Sequence, residues 1–325
     1  MRALILRSFG IGNDMGIENI ETPEPAADEV RIRVASIGLS FADALTIAGD
    51  YQIRPPLPWI PGSECAGVVD AVGGAVDAFA PGDRVCALSW GGVMAEALCV
   101  RASSVSALPR GLSLDAGAVI RVAYTTAWHA LVDRARLAAG EKLLILGAGG
   151  AVGHAATELG NILGAHVIAA ASTHEKRVAA LAAGAEHAVS SEVDALRAEV
   201  EAIVGRKAID VVLDPVGGAA SVTAFRLLGW LGRHCVIGFA AGGAIPALPL
   251  NLPLLAGASV LGVNVGRFST DFAAAAAVNF ERILALYREG RIAPRISHRF
   301  ALEHAAAALR CVRNERPIGR VIINM

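Results

Sequence analysis

Between Lys142 and Leu163 the chain changes its hydrophobic period once. Leu143, Leu144, Ile145 and Leu146 are apolar at every position, which predicts a strand buried on both faces of a parallel sheet. Val152, Ala155, Ala156, Leu159 and Leu163 then recur at helical spacing, and a glycine cluster separates the two patterns. A second apolar run spans His166 to Ser172, and further runs at Ile209–Leu213 and His234–Ile237 alternate with helical patterns. That order predicts an α/β fold with a doubly wound parallel sheet. The N-terminal part differs. Val30-Arg31-Ile32-Arg33-Val34 alternates with period two among many Pro and Gly turns, and Gly82-Asp83-Arg84-Val85 leads another strand, so a small β-rich, barrel-like domain is expected there. Beyond Gly266 the pattern predicts a long Ala-rich helix through Phe280 to Tyr287, a strand near Ile292–Ile296, another helix, and a last strand over Gly319–Ile323.

The cluster Gly147-Ala148-Gly149-Gly150-Ala151-Val152-Gly153 sits where the strand gives way to the helix. A side chain there would hold a pyrophosphate away from backbone N–H groups whose partial positive charge attracts it. Gly147, Gly150 and Gly153 are read as supplying that access, with Gly149, Ala151 and Val152 completing the turn and the helix start. Two glycines in such a turn also serve purely steric needs, so the next unit matters more. Where an NAD site usually carries Asp or Glu, this chain has Ser172 and Thr173, followed by Lys176 and Arg177. Hydroxyls and cations attract a 2′-phosphate that a carboxylate would repel, which points to NADPH. An ordinary solvated helix face is the alternative for Lys176 and Arg177. Asp214-Pro215-Val216-Gly217-Gly218 and Gly238-Phe239-Ala240-Ala241-Gly242 follow the next two strands. The carboxyl edge of such a sheet is where ligands bind, so Asp214, Val216, Gly238, Phe239 and Ala240 join the cofactor set.

Composition narrows the setting. A length of 325 residues fits two domains, and a formal net charge of -1 gives no reason to expect nucleic acid or an anionic membrane as partner. The apolar run after Met1 is too short for a signal peptide, and Cys65, Cys86, Cys99, Cys235 and Cys311 are too scattered for a disulfide framework. A cytoplasmic protein is expected. Cys235–Gly266 carries no charge but is broken by Pro246, Pro249 and Pro253, which reads as strand, loop, strand rather than a membrane span.

Pro61-Gly-Ser-Glu-Cys-Ala-Gly-Val-Val69 with Val72-Gly73, then Pro81-Gly-Asp-Arg-Val85, Tyr124-Thr-Thr-Ala-Trp-His-Ala-Leu131, the glycine turn and Asp214–Gly218 resemble, in order, the medium-chain dehydrogenase/reductase superfamily. Within it they most resemble the zinc-free NADPH:quinone oxidoreductase branch. The resemblance implies a GroES-like catalytic domain from residues 1–122 and 267–325, a Rossmann NADPH-binding domain over 123–266, active-site clefts between domains, and a homodimer joined through the Rossmann sheets. It places Thr126 at the nicotinamide end, with helix packing as the alternative, and Phe239, Val263 and Asn264 where the family closes over the nicotinamide. Ser40, in Ser40-Phe-Ala-Asp43, stands where quinone reductases have an Asn that contacts the nicotinamide ribose or substrate, so the resemblance makes its shorter hydroxyl a candidate catalytic group. Tyr51 matches a family tyrosine before the Pro-rich turn and is the candidate proton donor or substrate-orienting group, with packing on Pro55 and Pro56 as the alternative; a second family tyrosine is Leu45 here.

No metal is expected. No Cys-x-x-Cys pair occurs, and Gly38–Asp43 and Ser63-Glu64 stand where zinc-dependent relatives carry a Cys and a His-Glu. Tyr51, Tyr124 and Tyr287 are followed four positions on by Pro55, Trp128 and Arg291, so no Tyr-x-x-x-Lys pair aids an alkoxide. A small-molecule acceptor that is already electrophilic, a quinone or an α,β-unsaturated carbonyl, needs neither device. The alternatives are an enoyl-thioester reductase of acryloyl-CoA type and a non-catalytic NADPH-binding protein.

Overall fold

Strand Lys142–Leu146 lies inside a six-stranded, all-parallel sheet whose order is His187–Ser190, His166–Ala171, Lys142–Leu146, Ile209–Asp214, Leu228–Val236, Ser259–Gly262. Counted along the chain this is 3-2-1-4-5-6, the order of a dinucleotide-binding sheet. Leu143 to Leu146 are all buried because both faces are covered. Leu144 and Leu146 pack in one cluster with Ile168, Leu196, Val200 and Phe225, which come from the neighbouring strand and from helices Val193–Val204 and Gly218–Arg226. Leu143 faces the other way, where helix Ala151–Ile162 sets Gly160 directly over it: a Cβ at Gly160 would lie 2.7 Å from Leu143 Cδ2.

The computed structural model describes residues 1–325, and the chain divides into two units, Met1–Val122 with Pro294–Met325, and Ala123–Ala293. In the first unit, strands Ile296–Ala301, Arg320–Asn324, Glu29–Leu39, Glu64–Val72, Arg84–Leu88 and Val105–Ala107 form one sheet in that order, and Ala97–Arg101 also pairs with Glu29–Leu39. The C-terminal strand is antiparallel to Glu29–Leu39, so both chain ends build this β-rich, GroES-like unit. The alternation of Val30, Ile32 and Val34 buries these side chains in its core with Leu98, Leu302 and Ile323. No helix is long and apolar enough to cross a membrane.

Three details differ from the sequence expectation. The strand placed at Ile292–Ile296 begins only at Ile296, because Pro294 has no N–H to give a ladder; Ile292 is buried as a linker residue. The loop within Cys235–Gly266 contains a short helix, Asn251–Ala256, closed by Gly257 at φ +58. Helices Val265–Asp271 and Ala273–Arg288 belong to the second unit, whereas residues from 267 onward were expected in the first. The reason is local: Phe268 stacks on His129 at 4.1 Å, and Asn279 donates to Asp133 Oδ2 at 2.9 Å.

One buried ion pair ties the ends of the first unit together. Glu64 is fully buried; its Oε2 accepts from Arg320 Nη2 at 2.8 Å, and its Oε1 accepts from the N–H groups of Arg121 at 2.7 Å and Val122 at 3.0 Å. Burial pushes its carboxyl up to about 7, against the pull of Arg320 and those N–H groups. Removing one partner of such a pair strands the other charge, which costs more than the pair itself contributes. At pH 8, Glu64→Gln is expected to lower unfolding free energy by about 3–5 kcal/mol, read by urea denaturation; a loss under about 1 kcal/mol would show that the pair is dispensable.

Candidate functional site

The strand Lys142–Leu146 ends at Gly147, whose φ of +63° favours glycine. Gly150 donates its N–H to Gly147 O at 2.9 Å and precedes helix Ala151–Ile162 in an extended conformation, with no side chain capping the helix start. The first N–H groups, at Ala151, Val152 and Gly153, therefore have no capping side chain and carry the positive end of the helix dipole. The glycines divide the work differently from the expectation that Gly147, Gly150 and Gly153 all open the turn to a ligand. A Cβ at Gly153 would lie 2.3 Å from Gly147 O, and one at Gly147 would lie 2.7 Å from Val216 Cγ2, so both serve internal packing. At Gly150 the nearest atom is Gly147 O at 3.4 Å, so this glycine is the open one.

Strand His166–Ala171 delivers Ser172 to the surface, and Thr173 caps helix His174–Ala182 by accepting from the Lys176 N–H at 3.3 Å. Lys176 lays its stem across the glycine turn: a Cβ at Gly149 would lie 2.7 Å from Lys176 Cγ. Arg177 Nη1 donates to Ala171 O at 3.1 Å, which holds the guanidinium at the end of the same strand. Two cations, a hydroxyl and an uncapped helix start thus share one edge of the sheet. A glycine turn beside them that is closed to side chains suits the pyrophosphate of a dinucleotide.

The next two turns close on the first. Val216 packs on Gly147, a Cβ at Gly217 would lie 2.7 Å from Phe239 Cδ1, and one at Gly238 would lie 3.6 Å from Pro215 O. Ala240 donates its N–H to Pro215 O at 3.1 Å. Asp214 does not face outward. It is buried, its Oδ1 accepts from the N–H groups of Val216 and Gly217 at 2.9 and 2.8 Å, and its Oδ2 pairs with His234 Nε2 at 3.0 Å. Burial pushes its carboxyl up, but hydrogen bonds from His234, Ser221 and Gly217 outweigh this and hold it below the usual range. Its part is to shape the turn that carries Val216. Val263 extends the edge strand by donating to Val236 O at 2.9 Å, and Asn264 caps helix Val265–Asp271 through the Arg267 N–H at 3.0 Å. Thr126 is buried on helix Leu114–Trp128.

In the first unit, Ser40 caps helix Phe41–Ala48. It accepts from the Asp43 N–H at 3.1 Å, while its own N–H and hydroxyl donate to Asp43 Oδ2 at 2.7 and 2.6 Å. Burial pushes the Asp43 carboxyl above the usual range, against hydrogen bonds from Ser40 and Ser63. The Ser40 hydroxyl is thus engaged in a capping box. The Tyr51 ring lies 5.8 Å from that of Trp90, a half-exposed residue that the sequence reading missed because the two are far apart in the chain. The donors at the family's zinc positions do not suit that metal: Ser40 and Asp43 bond each other, and the Glu64 carboxylate is engaged by Arg320 and two N–H groups. Elsewhere, His298, Cys311 and Glu315 converge, with ligating atoms within 4.8 Å of one another. In sequence only the Cys311/Glu315 spacing of four hinted at this.

A sequence profile of the alcohol dehydrogenase GroES-like domain matches residues 26–110, and one of the zinc-binding dehydrogenases matches residues 151–280. Quinone oxidoreductase-like protein 2 of Rattus norvegicus is 36% identical over 305 residues, covering 93% of this chain and 87% of its own. The Homo sapiens synaptic vesicle membrane protein VAT-1 homolog is 29% identical over 343 residues, covering 99% of this chain and 86% of its own. Among solved structures, a probable oxidoreductase from Mycobacterium abscessus superposes with a TM-score of 0.90 at 29% identity, covering 100% of this chain and 99% of that one. The quinone oxidoreductase of Escherichia coli complexed with NADPH shares the fold, with a TM-score of 0.92 at 23% identity and full coverage of both chains. The order of sheet and β-rich unit, the glycine turn and these likenesses agree: the chain belongs to the medium-chain dehydrogenase/reductase superfamily, in its quinone oxidoreductase branch.

Proposed function

We propose that the protein is a zinc-independent, NADPH-dependent reductase of quinones or α,β-unsaturated carbonyls. The observation that carries this is Lys176 lying across Gly149 beside an uncapped helix start, with Ser172 in place of an acidic residue. A bound nicotinamide cofactor would supply hydride. Gly150 and the first helical N–H groups at Ala151 and Val152 would receive the pyrophosphate, and Ser172, Lys176 and Arg177 the 2′-phosphate. Val216, Phe239, Ala240, Val263 and Asn264 would line the nicotinamide end, with Thr126 beside them. Tyr51 would donate a hydrogen bond to the oxygen that gains charge as the acceptor is reduced.

The direct experiment is NADPH oxidation by purified protein against a panel of quinones, enones and enoyl-CoA thioesters. Turnover on quinones or enones supports the proposal, turnover confined to thioesters favours an enoyl-thioester reductase, and none at all favours a non-catalytic NADPH-binding protein. Lys176→Ala is expected to weaken NADPH binding by about 1.5–3 kcal/mol, the loss of one charge-assisted hydrogen bond, and to leave NADH binding unchanged. Equal weakening of both cofactors would move Lys176 from phosphate recognition to turn packing.

Tyr51→Phe is expected to slow a quinone by only a few-fold, because solvent can also deliver the proton, and an enone by about tenfold to a hundredfold, because its enolate is more basic. Unchanged rates on both substrates would reduce Tyr51 to a packing partner of Trp90.

A second copy of the chain is the proposed partner. Ser259–Gly262 is an edge strand, and Trp230, Leu250, Leu254 and Val260 near it in sequence or structure are exposed apolar residues that a monomer would leave in water. Sedimentation equilibrium is expected to give a dimer that Val260→Arg dissociates; a wild-type monomer at micromolar concentration would contradict it.

A further inference from the structure

The C-terminal part of the first unit holds a cluster that the proposed reduction does not use. His298 stands on strand Ile296–Ala301, held in register by pairing with Val321 of the C-terminal strand. Cys311 and Glu315 are four residues apart on the wide helical turn Cys311–Glu315, which puts them on one face. One ligand atom from each of the three lies within 4.8 Å of the others, and Cys311 Sγ is 3.4 Å from Glu315 Oε2. The sulfur-to-oxygen edge of a tetrahedral zinc centre is about 3.6 Å, given bond lengths of about 2.3 and 2.1 Å. Two of the three donors are therefore already at coordination spacing, and His298, an exposed side chain, brings a ring nitrogen within 4.8 Å of both.

We propose that His298, Cys311 and Glu315 form a binding site for a zinc-class divalent cation, apart from the residues assigned to cofactor and substrate. A thiolate and an imidazole favour zinc and its neighbours over magnesium or calcium, which prefer oxygen alone. His298 and Glu315 are exposed while Cys311 is 3% exposed, so the cation has an entry path from solvent, a shielded sulfur and a fourth position for water. Binding converts the Cys311 thiol to a thiolate bonded to the metal and releases its proton to solvent; His298 binds as neutral imidazole and Glu315 as carboxylate. Burial and then Glu315 push the free thiol up to about 11, so without a cation it rests protonated rather than as a reactive nucleophile. The neighbouring Arg313 is paired with Asp50 at 2.6 Å, which offsets its repulsion of a cation. A bound ion would fasten the strand Ile296–Ala301 to the turn that precedes the last strand.

The test is a cobalt titration of the full-length protein after exhaustive dialysis against a chelator. The site is expected to give a thiolate-to-cobalt charge-transfer band that saturates at a single equivalent and is displaced by zinc. Cys311→Ser and His298→Ala should each remove the band, whereas Cys99→Ser should keep it; His298 is exposed, so its loss does not endanger folding. Zinc should also raise the melting temperature of the wild type and not of His298→Ala. No charge-transfer band in the wild type, or an undiminished one in Cys311→Ser, would overturn the proposal, and neither outcome depends on whether the protein reduces quinones.

Discussion

The approach of helix Ala151–Ile162 to the end of strand Lys142–Leu146 is the constraint from which the rest of the second unit follows. At Gly153 the helix comes so near the Gly147 carbonyl that a single methyl group would sit 2.3 Å from it. That proximity fixes where the helix N-terminus points and leaves Gly150 as the least crowded of the three, with Gly147 O at 3.4 Å from a Cβ placed on it. Each neighbouring turn then closes on the same backbone. Val216 rests on Gly147, Phe239 on Gly217, and the stem of Lys176 on Gly149. The positive end of the helix, a lysine and two apolar side chains reach one sheet edge because glycine permits each of these contacts.

Polar groups inside each unit hold such turns in place. Asp214 accepts two backbone N–H groups and pairs with His234, which keeps the Val216 turn tight at the cost of burying a charge. Glu64 does the equivalent in the first unit, joining Arg320 near the C-terminus to the backbone of Arg121 and Val122. Neither carboxylate is free for proton transfer. This is why the acid–base chemistry of the proposed reaction rests on Tyr51 rather than on Asp214 or Glu64.

The central strands were legible because Leu143 to Leu146 are apolar on both faces, a pattern that a covered parallel strand needs, and a glycine turn bounds the run. His187–Ser190 was not, since a four-residue edge strand with polar ends has no such signature. The glycine cluster announced a dinucleotide turn, but a glycine needed for packing and one needed for ligand access read alike in sequence. Only the distances to Gly147 O and Val216 separated Gly153 and Gly147 from Gly150. The role of Asp214 was hidden for a related reason: its partner His234 lies twenty residues on, one strand over in the sheet. Ser40 was singled out by its alignment with a family amide, and its local partner Asp43, three residues away, proved to be what it bonds. Long-range partners such as Tyr51 with Trp90, and His298 with Cys311, leave no periodic trace at all.

On the proposed function, the edge bearing Gly149, Ser172, Lys176 and Arg177 is built for a 2′-phosphate. Equilibrium binding of NADPH and NADH to the unmodified protein, followed by fluorescence at one ionic strength, tests this without any assumption about substrate. NADPH is expected to bind tighter by about tenfold or more, the roughly 1.4 kcal/mol or greater that a charge-assisted contact supplies. Equal affinities, or tighter NADH, would contradict it.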